Sequence, residues 1–252
     1  MKSIVNLSKL SHFLTETLQP QKFSDYCPNG LQIEGKLEVR KVVTGVTASM
    51  AFLNAAHQAN ADAVLVHHGY FWRGENPAIT GIKKRRIQFL LQNEISLFGY
   101  HLPLDAHPDF GNNVMLGKKL GFQNVAWLDD KQMVAWAELS EPQTLQNFAA
   151  YVSSMLGRRP QVIGDIKKNV KTVAWCTGAA QSYIEQAIAA NIDVYISGEI
   201  SEQTVHLARE SGTAYIAAGH HATERYGIEA LGQCLAQNLD LEHEFIDIEN
   251  PV

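Results

Sequence analysis

Cysteine is scarce in this chain. Its three cysteines, Cys27, Cys176 and Cys234, are odd in number, far apart and form no CxxC pair. That excludes a zinc ribbon, argues against a disulfide framework, and makes a reduced, cytoplasmic chain the expectation. Long apolar runs are missing too, so no stretch can span a bilayer. The N-terminus lacks the basic and then apolar pattern of a signal peptide. Instead Leu7, Leu10, Leu14 and Leu18 recur at helical spacing and Pro20 ends the run. Positive charge is not in surplus: 21 Lys and Arg face 26 Asp and Glu, a net charge of -5. A dedicated nucleic-acid binder usually shows the opposite balance. The single basic run, Lys83-Lys84-Arg85-Arg86, opens an amphipathic helix carrying Ile82, Ile87, Leu90 and Leu91, and reads as a solvated face. A Walker A loop to cradle a triphosphate is absent. Charged residues, at 19%, are too few for a disordered chain, while 46% apolar residues suffice for a core. The 252 residues fit one large domain or two smaller ones.

What is present is alternation. Val42–Val46 reads as a strand, residues 49–60 as a helix and Ala63–Val66 as a short buried strand. A helix near 81–93 and a strand at Ile95–Phe98 follow. This is the signature of βαβ units and a mainly parallel sheet. The pattern restarts near residue 129, with Met133–Leu139 as a strand and Pro142–Leu156 as a helix. The expected division is a first α/β domain of residues 1–128 plus 216–252 and a second of residues 129–215. An offset of 131 residues lays Asn60-Ala61-Asp62-Ala63-Val64 on Asn191-Ile192-Asp193-Val194-Tyr195, and Val42 on Val173. Two readings stand: an ancient duplication, or chance similarity of two ordinary βαβ units.

Histidine supplies the chemistry. His67 and His68 follow the apolar run Ala63–Val66 and precede Gly69. His101, Asp105 and His107 follow a second strand, and His220, His221 and Glu224 follow the strand-like Ala214–Ala217. The carboxyl ends of parallel strands are where open α/β sheets gather their sites. Adjacent residues on a strand point to opposite faces, so His67 and His68 suit two different ions better than one. His220 and Glu224, four apart, share a helical face. Three histidines and two carboxylates suit zinc, manganese, iron or nickel and not calcium. Such a charge-deficient pair of dications favours bound hydroxide at neutral pH, the nucleophile of a two-metal hydrolase. Tyr70, Phe71 and Trp72 read either as a stacking surface for a base or as a hydrophobic rim. His107 and His221 read as surface or supporting residues, and Asn112 and Asn113 as a turn and helix cap. The offset also places His68 on Glu199. That makes Glu199, with nearby His206, either a site residue or a cap for the helix that starts near Ser201.

The segments Pro28-Asn29-Gly30-Leu31-Gln32, Val64–Gly69, His101–His107 and Gly219–Glu224 resemble the NIF-three-like family, the YbgI proteins, often labelled GTP cyclohydrolase I type 2 homologues. The likeness runs over essentially the whole chain. It implies two interlaced α/β domains and two divalent ions per subunit, on His67, His68, Asp105, His220 and Glu224, with Glu224 shared. It also implies a toroidal homohexamer with its metals facing a central cavity. The label implies opening of a guanine imidazole ring by water, hence a hydrolase for a nucleotide or related heterocycle. His101, four residues before Asp105, reads on its own spacing as a group that supports the site, as a general acid/base, or as a structural hydrogen-bonding histidine. The alternative is a non-catalytic metal-handling or scaffold protein that forms a ring. A small-molecule substrate is expected only on the first reading; nucleic acid and membrane are expected as partners on neither.

Overall fold

The computed structural model describes residues 2–252 and divides the chain into two compact units. One comprises Met1–Gly111 and Gly227–Ile248, the other Asn112–Tyr226 and Glu249–Val252. The boundaries therefore fall elsewhere than the expected 128/129 and 215/216. The helix α5 (Asn112–Lys119) and the turn after it place Leu116, Leu120 and Phe122 in a core with Trp175, and this carries residues 112–128 into the second unit. Residues 216–226 belong there because strand β12 (Ala214–Ala217) is hydrogen-bonded into that unit's sheet.

The first unit begins with a short antiparallel pair, β1 (Val5–Asn6) and β3 (Glu38–Val39), flanking α1 (Leu7–Leu18). Leu7, Leu10, Leu14 and Leu18 are the buried stripe of α1, and Asn6 caps it by accepting from Ser8 N. The five-stranded sheet has the order β13-β4-β5-β6-β2. These are β13 (Glu242–Phe245), β4 (Lys41–Thr47), β5 (Ala63–His68), β6 (Ser96–Gly99) and β2 (Gly30–Ile33). Only β2 runs antiparallel to its neighbour. Helices α2 (Met50–Gln58) and α3 (Gly81–Gln92) make the crossovers. Alternate strand residues feed two cores, Val42, Leu65 and Phe98 on one face and Val43, Val64 and Leu97 on the other. Two-sided burial explains why these strands read as unbroken apolar runs.

The second unit holds six strands in the order β7-β8-β10-β11-β12-β9. Here β10 (Asn169–Trp175), β11 (Val194–Ser197) and β12 are parallel. β7 (Ala126–Trp127), β8 (Ala135–Thr144) and β9 (Gln161–Ile163) pair antiparallel. Helices α6 (Leu145–Leu156), α7 (Ile184–Ala189) and α8 (Glu202–Ser211) complete it. The helix expected from Pro142 starts later, because β8 runs on through Pro142 to Thr144, whose hydroxyl caps α6 by accepting from Asn147 N. Pro142 lies opposite the register shift between Val170 and Thr172, where a missing N–H does little harm.

The two units share more than an element type. Val42 stands opposite Ala63, and Val173 opposite Val194. Asp62 Oδ2 accepts from the N–H groups of Arg40 and Lys41; Asp193 Oδ2 accepts from Lys171 and Thr172. Asn60 and Asn191 both take positive φ, 59° and 54°. Every one of these pairs is separated by the same 131 positions.

Candidate metal centre

Each unit carries candidate donors of its own. In the first, His67 and His68 close β5. After β6 the chain turns through His101 into the short helix α4 (Leu102–Asp105), which ends on Asp105. Imidazole nitrogens of His67, His68 and His101 lie within 4.8 Å of one another. His67 Nε2 is 3.5 Å from Asp105 Oδ1, and both side chains are buried.

Each ring is held from behind. His67 Nδ1 is 2.9 Å from the Tyr100 carbonyl oxygen, His68 Nδ1 is 3.1 Å from Thr47 Oγ1, and His101 Nδ1 is 2.7 Å from Asp25 Oδ1. Such a partner fixes which nitrogen carries the proton and aims the other. Sequence reasoning missed Asp25. Its carboxylate also accepts from Asn29 Nδ2, Tyr26 N and Leu102 N. Burial alone would raise its pKa, but the hydrogen bonds from His101 and Asn29, with the His101 charge and the Tyr26 N–H, hold it down at about 2. Asn29 Oδ1 accepts from His101 N, and Gln32 Oε1 accepts from Tyr70 N. The Pro28–Gln32 segment thus ties together the two donor-bearing loops of this unit. Gln32 fits so closely that a Cβ on Gly69 would overlap its amide.

In the second unit His220 and Glu224 occupy the first turns of α9 (His220–Leu239), whose later residues return to the first unit. His220 Nε2 is 3.1 Å from Glu224 Oε2, and His220 Nδ1 is 2.7 Å from Glu199 Oε1. Burial would lower the His220 pKa, yet the Glu224 and Glu199 carboxylates raise it to about 9. Gly178, at φ 68°, lets Glu224 in: a Cβ there would overlap the carboxylate.

Other sequence candidates fall outside these groups. Tyr70 is buried and donates to the Ala48 carbonyl, which removes it as a stacking surface. Trp72 is half-buried, stands edge-on to His101 with ring centroids 5.0 Å apart, and donates to the Gly69 carbonyl. Asn113 is a buried brace: its Oδ1 accepts from Thr177 N and its Nδ2 donates to the Met133 carbonyl. His107 stacks on Phe110 at 3.6 Å. His221 is buried and its N–H donates to the Val252 carbonyl. His206 is exposed on α8, and that helix is capped by Ser201, not by Glu199.

Imidazole with buried carboxylate, each ring bearing an oxygen partner on its far nitrogen, is a donor chemistry that fits divalent transition metals. Calcium would need an all-oxygen cage. Among the described residues no helix is long and apolar enough to cross a membrane.

The family model described as Duf34/NIF3 (NGG1p interacting factor 3) matches residues 5–251. A Pseudomonas aeruginosa protein named GTP cyclohydrolase 1 type 2 homolog is 53% identical over 250 residues, covering 98% of this chain and 99% of its own. The Escherichia coli K12 protein of that name is 50% identical over 245 residues, covering 97% and 98%. Among solved structures, one titled protein ybgI, unknown function, is 50% identical with a TM-score of 0.95, covering 98% of this chain and all of its own. TTHA1606 from Thermus thermophilus is 32% identical with a TM-score of 0.88 and the same coverage.

Proposed function

The chain belongs to the Duf34/NIF3 family, and on that premise we propose that it is a two-metal hydrolase acting on a nucleotide or related heterocycle. The proposed ligands are His67, His68, Asp105, His220 and Glu224, with Glu224 shared between the ions. The observation that carries this reading is the tethering of each histidine. His67, His68, His101 and His220 all place Nδ1 on an oxygen partner, which leaves Nε2 as the donor. Packing histidines need no such uniformity. When bound, a pair of divalent ions supplies Lewis acidity and water activated at neutral pH.

The chain's own residues supply the rest. His101, with Nδ1 fixed by Asp25, offers Nε2 as proton carrier. Tyr26, exposed, and Trp72 stand edge-on to the His101 ring, with centroids 6.3 and 5.0 Å away, and offer apolar contact to a planar substrate. The test is turnover of GTP and a panel of related heterocycles by protein stripped of metal and then reloaded with zinc, manganese, iron or nickel. Turnover is expected only after reloading and is abolished again by chelator. Full metal occupancy without turnover across the panel supports the metal-handling alternative instead.

The homohexamer implied by the resemblance is part of the same proposal. A solution mass of six chains of 27.9 kDa supports it, and a monomeric mass at micromolar concentration removes it.

A further inference from the structure

We infer that Glu199 is a positioning residue for the metal ligand His220: its carboxylate fixes the ring's tautomer and direction so that Nε2 is presented as the donor. The inference rests on His220 being a ligand, as proposed above, and goes beyond it by assigning a role to a residue outside the ligand set.

The contact is 2.7 Å, from His220 Nδ1 to Glu199 Oε1. Its geometry is built from the backbone. Glu199 N donates to the Gly178 carbonyl, and the Tyr215 hydroxyl donates to the Glu199 carbonyl. Gly198 sits so tightly between Gly178 and His220 that a Cβ on it would overlap the backbone of both. The ends of β10, β11 and β12 are thereby pinned together, and Glu199 stays beside His220 whatever its side chain does.

The first unit offers an internal comparison. Ser96 pairs with Ala63 and Ala214 with Val194, so β6 and β12 hold matching places in the two sheets. Each is followed by a histidine and, four residues later, a carboxylate: His101 and Asp105 in one unit, His220 and Glu224 in the other. Each of these histidines has a second carboxylate on Nδ1, at 2.7 Å in both cases. The supporting acids come from unrelated places. Asp25 lies between α1 and β2, whereas Glu199 follows β11, where the matching position of the first unit holds His68. The same arrangement reached by two routes points to orientation of the ring as the purpose. A carboxylate behind a ligating imidazole also raises its basicity, and losing such a partner typically costs 10–100-fold in metal affinity.

A purely structural role predicts something different. The Glu199 side chain is 35% exposed, so it contributes little to folding. The test compares wild type, Glu199→Ala and Glu199→Gln, with Glu202→Gln as a control that removes one exposed acid from the first turn of α8. Zinc and manganese affinities are measured by chelator competition, and melting temperatures on metal-free protein. The expected result is roughly 10–100-fold weaker binding in Glu199→Ala. A smaller loss is expected in Glu199→Gln, which keeps an acceptor without the charge. The control should be unchanged, and all metal-free melting temperatures should agree. Glu199→Ala affinity within about twofold of wild type overturns the inference, and so does an affinity loss matched by a lower metal-free melting temperature. Wild-type protein that binds neither metal sinks the metal reading itself, and the inference with it.

Discussion

Replacing Glu224 by alanine is expected to strip both ions from the chain. The side chain is only 4% exposed, lies one turn into α9 and faces His220 Nε2 at 3.1 Å. Gly178 in a left-handed conformation makes the room for it. A carboxylate placed so deliberately inside a fold is costly unless positive charge meets it. As the ligand shared by both ions in the proposed set, it should cost more on removal than the roughly 10–100-fold lost with a supporting residue. Metal content after gel filtration should fall from two per chain to well below one. His67→Ala or Asp105→Ala should instead weaken mainly one ion. Two ions retained at full occupancy in Glu224→Ala would remove the shared role.

The second large effect concerns stability. Asp25→Ala should destabilise the protein by about 3 kcal/mol or more, because it leaves His101 Nδ1, Asn29 Nδ2, Tyr26 N and Leu102 N without their acceptor. A loss of that size lowers the melting temperature by roughly 6–12 °C in a chain of this length. The carboxyl group is 3% exposed, so solvent screens it little. Its pKa of about 2 in the folded protein, against 3.8 ordinarily, also gives a pH signature. The stabilisation is complete above the ordinary value and drains away as the pH falls towards the lower one. It is worth on the order of 2 kcal/mol. Wild type should therefore lose stability between about pH 4 and pH 2 more steeply than Asp25→Ala. Parallel acid-unfolding curves would refute that assignment.

The contrast between Glu224 and Asp25 shows what the sequence could and could not convey. Glu224, His220, Asp105 and His101 follow strands buried on both faces, whose apolar runs announce where a sheet ends and a site begins. Asp25 lies in a stretch without periodicity, and its partner His101 is 76 positions away, so local pattern carries no trace of the pair. Asn113 is legible only as a cap, since the segments it braces, at Met133 just before β8 and Thr177 just after β10, come later in the chain. Pro142 misleads for a local reason. Proline suits the first turn of a helix, and only the irregular pairing of β8 with β10 shows that a strand tolerates it here. Glu199 is visible through the 131-residue offset alone. Its competing role as a helix cap falls to Ser201, whose hydroxyl accepts from Thr204 N.

The most direct test of the central claim is anomalous diffraction from metal-loaded crystals, with data on both sides of the absorption edge of the added metal. The account predicts two peaks per chain, one bound by His67 and Asp105, the other by His68 and His220, with Glu224 reaching both. A single peak, or two peaks with His67, His68 and His220 turned away from them, would contradict it.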